Sequence, residues 1–155
     1  MILAGEEFAD QHDLFDANGN VTQGGGKQVD PVNFARLTDD WRHRIRQCVA
    51  RLITLRTSSD ALAGNDVSFI HVDFNDTKRV LVWQRGTTGS TQQVVVVANF
   101  SDYDSPGGLS GEYIVPTWPA APAPMSWYEI TQDRPAPQAG REPIFAWEAK
   151  VYALK

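Results

Sequence analysis

RVLVWQRGTTGSTQQVVVVANFS, residues 79–101, decides the class of fold. Two runs rich in valine are separated by Gly86, Thr87, Thr88, Gly89 and Ser90, which supply turn chemistry but no apolar period. β-Branched and aromatic residues fit a pleated, half-buried surface, so both runs read as strands. Val94 to Ala98 is apolar on both faces, which predicts a strand covered on both sides at the centre of a sheet. Working outward, VSFIHVDF (67–74), GEYIVP (111–116), SWYEIT (126–131) and KVYAL (150–154) bring the number of strands to six. Short strands at this spacing predict an antiparallel β-sandwich. The proline-rich segment 117–124 is a loop or an edge, because proline cannot donate to a ladder.

Upstream the period changes. In DDWRHRIRQCVARLITLR (39–56), Trp41, Ile45, Cys48, Val49, Leu52 and Leu55 recur at helical spacing. Thr38 or Asp39 can cap this helix, and the Asp39 and Asp40 charges suit its positive end. Arg42, Arg44, Arg46 and Arg51 fall mainly off the apolar stripe and read as a solvated basic face. Residues 11–29 are polar and glycine-rich, the pattern of a long loop. Met1 to Ala4 form a short apolar run ending at Gly5, which reads as a strand buried on both faces. No alternation of strands and helices follows to supply its parallel neighbours.

The totals fit one ordinary domain or a domain with an appendage: 155 residues, 42% hydrophobic and 21% charged. A net charge of −5 argues against nucleic acid, whose affinity rests on phosphate contacts. The opening apolar run is too short for a secretory signal, and no stretch is long enough to span a membrane. The single cysteine, Cys48, excludes an internal disulfide and leaves the compartment unspecified. It sits on the helical stripe and reads as an inert, buried thiol.

Four stretches resemble the α-amylase superfamily, glycoside hydrolase family thirteen. LAGEEF (3–8) is similar to the end of that family's eighth barrel strand, with Gly5 and Glu7 on the motif's glycine and glutamate. LITLRTSSDAL (52–62) resembles its terminal barrel helix. RVLVWQR and VVVVANFS resemble strands of its C-terminal β domain. The resemblance implies a mainly β chain with an N-terminal α segment: the last strand, loop and helix of a (β/α)8 barrel over residues 1–57, then a C-terminal sandwich over 58–155. Such a barrel needs about 250 residues, so most of it would precede Met1. The implied function is that of the C-terminal part of an α-glucan hydrolase or transglycosylase, stabilising the barrel and inactive alone.

Glycoside hydrolysis needs two carboxyl groups flanking one bond, about 5–5.5 Å apart for retention. The family's nucleophile, acid and stabilising aspartate belong to motifs upstream of the eighth strand, so no catalytic residue is assigned here. Glu6 and Glu7 are adjacent, and neighbours on a strand face opposite ways. QHD (11–13) resembles an Asn-His-Asp motif but stands on the wrong side of LAGEEF. The resemblance gives Gly5 and Glu7 a structural part. Loops after barrel strands line the active-site face, so the resemblance places Phe8, Asp10, His12 and Asp13 beside sugar subsites.

A calcium loop in DLFDANGN fails by spacing: counted from Asp16, the glycine comes fourth and Lys27 stands twelfth. His12, His43 and His71 are too scattered for zinc, and there is no G-x-S-x-G elbow. No metal or cofactor is expected. Among the tryptophans of the β part, Trp118, flanked by prolines, is the expected exposed one and a candidate for stacking on a glucan. The implied partners are an α-glucan and the rest of the barrel, with self-association when the latter is missing. A free-standing carbohydrate-binding module and a protein-interaction sandwich are the alternatives.

Overall fold

The computed structural model describes residues 6–10 and 32–155. Two compact units divide the chain, Met1–Ala50 and Arg51–Lys155. The strand expected over Met1–Ala4 lies outside the described residues.

In the first unit, Glu6–Phe8 and Phe34–Thr38 are short 3-10 turns, and the helix α1 (Asp40–Ser58) begins. Asp39 is extended and takes the capping position, its carbonyl accepting the first helical bond from His43 N–H at 3.0 Å. Arg42 departs from the solvated face expected of it. Its buried guanidinium donates to Asp39 Oδ2 at 3.0 Å and to the Ala9 carbonyl, and lies 4.4 Å from the Trp41 ring centroid. Arg44 and Arg46 are exposed. The apolar stripe is covered unevenly: Trp41 and Ile45 are exposed, and Cys48 is half-buried rather than buried.

The second unit holds the last turns of α1 and one antiparallel sheet. Its strands are β1 (Val67–Asp73), β2 (Val80–Arg85), β3 (Val94–Asn99), β4 (Trp127–Glu129), β5 (Arg134–Pro135) and β6 (Ala149–Leu154), in the order β1-β2-β3-β6-β4-β5. Among the described residues the chain is therefore mainly β, with one α-helix. β3 is central as its two-sided apolar pattern requires, pairing Val97 with Val82 on one side and with Lys150 on the other. A bulge between Phe69 and His71 in edge strand β1 shifts its register, a common device at sheet edges.

Each face of the sheet carries its own core. Val94, Val96, Val151 and Ala153 meet Leu52 and Leu55 of α1 and Ala61. Arg51 fastens this helix end by donating to the carbonyls of Ile130 (2.8 Å) and Thr131 (2.7 Å), so it too leaves the solvated face assigned to it. On the opposite face Val80, Val82, Val95, Tyr152 and Leu154 pack against Tyr113, Val115, Trp127 and Ile144.

The layer over this second core is irregular. GEYIVP belongs to no ladder; Tyr113 N–H donates to Glu142 O (3.3 Å) and Val115 N–H to Gly140 O (2.8 Å). Its alternation of buried Tyr113 and Val115 with exposed Glu112 and Ile114 is the strand signal without the strand. The sixth strand is instead the two-residue β5, where Pro135 is tolerated because it lies at the sheet edge.

Candidate functional site

In the first unit, the segment around Phe8 is tied down rather than open. Phe8 is 0% exposed and its ring centroid lies 5.8 Å from that of Phe34. Burial removes it from the sugar-lining surface expected of it. Asp10 is likewise used internally: Oδ1 accepts from Arg36 at 2.6 Å and Oδ2 from Asn33 N–H at 2.9 Å. A carboxylate so engaged orders the turn around it. Glu7 is half-buried. Gly5, His12 and Asp13 lie outside the described residues.

In the second unit, two carboxylates do approach each other. Glu129 of β4, 0% exposed, has Oε2 2.5 Å from Arg134 Nη2 without the angle of a hydrogen bond, and accepts from Thr131 Oγ1 at 2.9 Å through Oε1. The same Arg134 nitrogen donates to Glu142 Oε2. Lys150, also buried, donates to the Pro143 carbonyl at 2.7 Å. Burial pushes the Glu129 carboxyl above its ordinary range, against the pull of Thr131, Lys150 and Arg134. A cavity of about 280 Å³ lies alongside, lined by Arg134, Glu142, Phe145 and Lys150 among others. The arrangement is not a hydrolytic pair: the guanidinium occupies the space between the acids, and a fully buried Glu129 cannot reach a glycosidic bond. It is an ion cluster holding β4, β5 and the irregular layer together.

A third group spans β1 and the irregular layer. Tyr113 Oη donates to Asp73 Oδ2 at 3.0 Å and lies 3.0 Å from His71 Nε2. Lys78 Nζ pairs with Asp73 at 3.1 Å, and Asp73 Oδ1 accepts from Asn75 N–H at 3.1 Å. Burial raises the Asp73 carboxyl, but the Asn75, Lys78 and Tyr113 donors outweigh it and the net displacement is downward. Burial, then the bond to Asp73, drives the Tyr113 phenol well above its usual range. With its hydroxyl donated to an anion, Tyr113 serves as a structural strut.

The tryptophans exchange the roles expected of them. Trp118 is half-buried, stacked edge-on against Tyr152 (centroids 5.0 Å) and Trp127 (5.5 Å). It packs against the core as a half-buried ring rather than standing exposed in an open loop. Among the tryptophans of the β part the exposed ring is Trp147, 68% accessible, with φ of 57° and its indole Nε1–H donating to Asp102 Oδ1 at 2.8 Å. Nothing near Trp147 in the chain marks a turn, so the sequence carries no signal of its exposure.

Among the described residues, no group of three His, Cys, Asp or Glu side chains could hold a metal ion, and no helix is long and apolar enough to cross a membrane. Compared with family models, curated proteins and solved structures, the chain gives no match.

Proposed function

We propose that the chain is the C-terminal part of an α-amylase-type enzyme acting on α-glucans, in which residues 1–57 finish a (β/α)8 barrel and residues 58–155 form a stabilising β domain. On this reading the domain is a sandwich whose second sheet is reduced to the irregular layer, and the catalytic carboxylates lie on upstream segments. One observation carries the proposal. The stretch with the family-like pattern, VVVVANFS, supplies the central strand and, through Asn99, the main clasp of the β domain. Asn99 Nδ2 donates to the carbonyls of Tyr103 (2.8 Å) and Phe145 (2.9 Å), while its Oδ1 accepts from Ser101 N–H and Oγ (3.1 and 2.6 Å). Support also comes from β1 and its flank, where Val67, Phe69, Val72 and Phe74 are exposed, an apolar surface suited to a covering partner.

The test joins this chain to whatever its coding sequence specifies upstream and measures release of reducing ends from maltoheptaose and pullulan. The longer protein should turn over an α-glucan, the present chain alone should not, and deleting residues 58–155 should lower the melting temperature of the longer protein. Turnover by the present chain that persists through repurification, or a longer protein inert on both substrates, would overturn the proposal. The second reading, a free-standing sugar-binding module, is favoured by the exposure of Trp147.

A further inference from the structure

Trp147 lies in the connection that leads into β6, and its backbone has the left-handed φ of 57°. Bulky residues rarely adopt that conformation, and it persists only where the surroundings over-determine it. Here they do. Phe145 N–H donates to Glu148 Oε2 (2.9 Å), Ala146 N–H to Asp104 Oδ1 (2.7 Å), Trp147 N–H to Ser101 O (3.2 Å) and Glu148 N–H back to Phe145 O (3.2 Å). The indole N–H is fixed as well, on Asp102 Oδ1. Both polar hydrogens of Trp147 are thus spent on orienting it, and the result is a ring held in solvent at 68% exposure.

Packing does not account for this arrangement. Burying a tryptophan is strongly favourable, yet the turn spends backbone strain and five hydrogen bonds to hold this one outside. What the turn does provide is a flat apolar face with its in-plane rotation locked, rimmed by two exposed carboxylates. Asp102 and Asp104 each use one oxygen in the turn, and the other has no partner among the described residues. A pyranose ring has the complementary design: an apolar face of C–H groups bordered by hydroxyls that donate to carboxylate oxygens. An organic cation would also meet a ring face and acids, but cation recognition uses several rings in a cage. No second ring pairs with Trp147 among the described residues.

We infer that Trp147, with Asp102 and Asp104, forms a sugar-binding platform that stacks a single pyranose unit of an oligosaccharide on the indole face. That the oligosaccharide is an α-glucan rests on the function proposed above; the platform itself does not. Pre-organisation is what makes one ring sufficient, since locking the ring before binding removes the ordering cost that would otherwise oppose a weak contact.

The test is a titration of the full chain followed by the indole N–H signals of its five tryptophans, with the Trp147 signal assigned by its loss in Trp147→Phe. Maltoheptaose at millimolar concentration should move that signal saturably and leave the other four in place. Trp147→Ala should weaken binding roughly tenfold, with the four remaining signals reporting an intact fold. Asp102→Ala, which frees the indole, should weaken it as well. A Trp147 signal that ignores both maltoheptaose and cellohexaose, or that responds to choline and to neither sugar, would overturn the platform. A response to cellohexaose alone would uphold the platform and refute the α-glucan reading.

Discussion

Replacing Asn99 by alanine removes the group on which the β domain closes. The carboxamide is 2% exposed and makes four hydrogen bonds, two donated and two accepted, which join the end of β3 to the carbonyls of Tyr103 and Phe145. Ser101 Oγ extends the chain by accepting from Arg79 N–H at 3.2 Å. At roughly 0.5–1.5 kcal/mol net per bond the sum runs from about 2 to about 6 kcal/mol. Water entering the space vacated by the side chain recovers some of it, so the expected loss is about 3 kcal/mol. That is a large share of the roughly 5–15 kcal/mol typical of a domain.

Urea unfolding followed by tryptophan fluorescence gives the difference directly, read as a shift of midpoint at constant slope. Asn99→Asp distinguishes the clasp from mere side-chain volume. It keeps the acceptor for Ser101 but sets a buried carboxylate against two carbonyl oxygens, where the ionised form is strongly disfavoured. A carboxyl raised in the folded state stabilises below its unfolded value and loses that stability as pH rises. Asn99→Asp should therefore be more damaging than alanine at neutral pH and less damaging in mild acid. Alanine within about 1 kcal/mol of the parent, or an aspartate variant that worsens on acidification, would refute the reasoning.

Gly140→Ala should cost about 2–4 kcal/mol, from the left-handed backbone (φ 82°) and from a methyl placed 2.8 Å from Cβ and Cγ of Trp118. Gly89→Ala, at φ 85° with nothing within 4 Å, carries the backbone strain alone and should cost less; equal denaturant midpoints would remove the steric argument. The two carboxylates Asp73 and Glu129 should show opposite pH signs. Asp73 lies below its ordinary 3.8 when folded, so its contribution is present above that value and lost as pH falls below it. Asp73→Asn should therefore flatten the acid limb of the stability curve. Glu129 lies above its ordinary 4.5, so its contribution is present below that value and lost as pH rises past it. Glu129→Gln should gain on the parent as pH rises from 4.5 toward neutrality, and denaturant midpoints taken across pH check both signs.

The helix and five of the six expected strands were legible because burial imposed a period on the sequence. β2 alternates Val80, Val82 and Gln84 inward with Leu81, Trp83 and Arg85 half-covered, and β3 has few polar interruptions because both its faces are packed. The same logic misled at GEYIVP. Tyr113 and Val115 alternate inward as in a strand, but the segment meets its neighbour through isolated bonds to Gly140 and Glu142. Side-chain period reports which face is buried and not whether a ladder forms. Arg42 and Arg51 were misplaced for a related reason: the sequence shows their spacing on the helix, while the carbonyls of Ala9, Ile130 and Thr131 that receive them are remote in the chain.

The exchange between Trp118 and Trp147 exposes the limit most sharply for the candidate site. Proline neighbours suggested that Trp118 would sit in an open loop, yet a glycine twenty-two residues later in sequence, Gly140, leaves the space its ring fills beside Tyr152. Trp147 follows Phe145 and Ala146 and precedes β6, a context that reads as one more inward-facing residue. Its ring is outside because Ser101, Asp102 and Asp104, all more than forty positions away, take up its N–H groups and those of Ala146. Those partners become neighbours only after β3 has paired with β6, with Asn99 N–H donating to Glu148 O at 2.9 Å. The clasp at Asn99 and the platform at Trp147 are thus two products of one strand pairing, since Asn99 also holds the Phe145 carbonyl at the start of the Trp147 turn. A variant that loosens Asn99 should accordingly disturb the Trp147 indole signal before it unfolds the sheet.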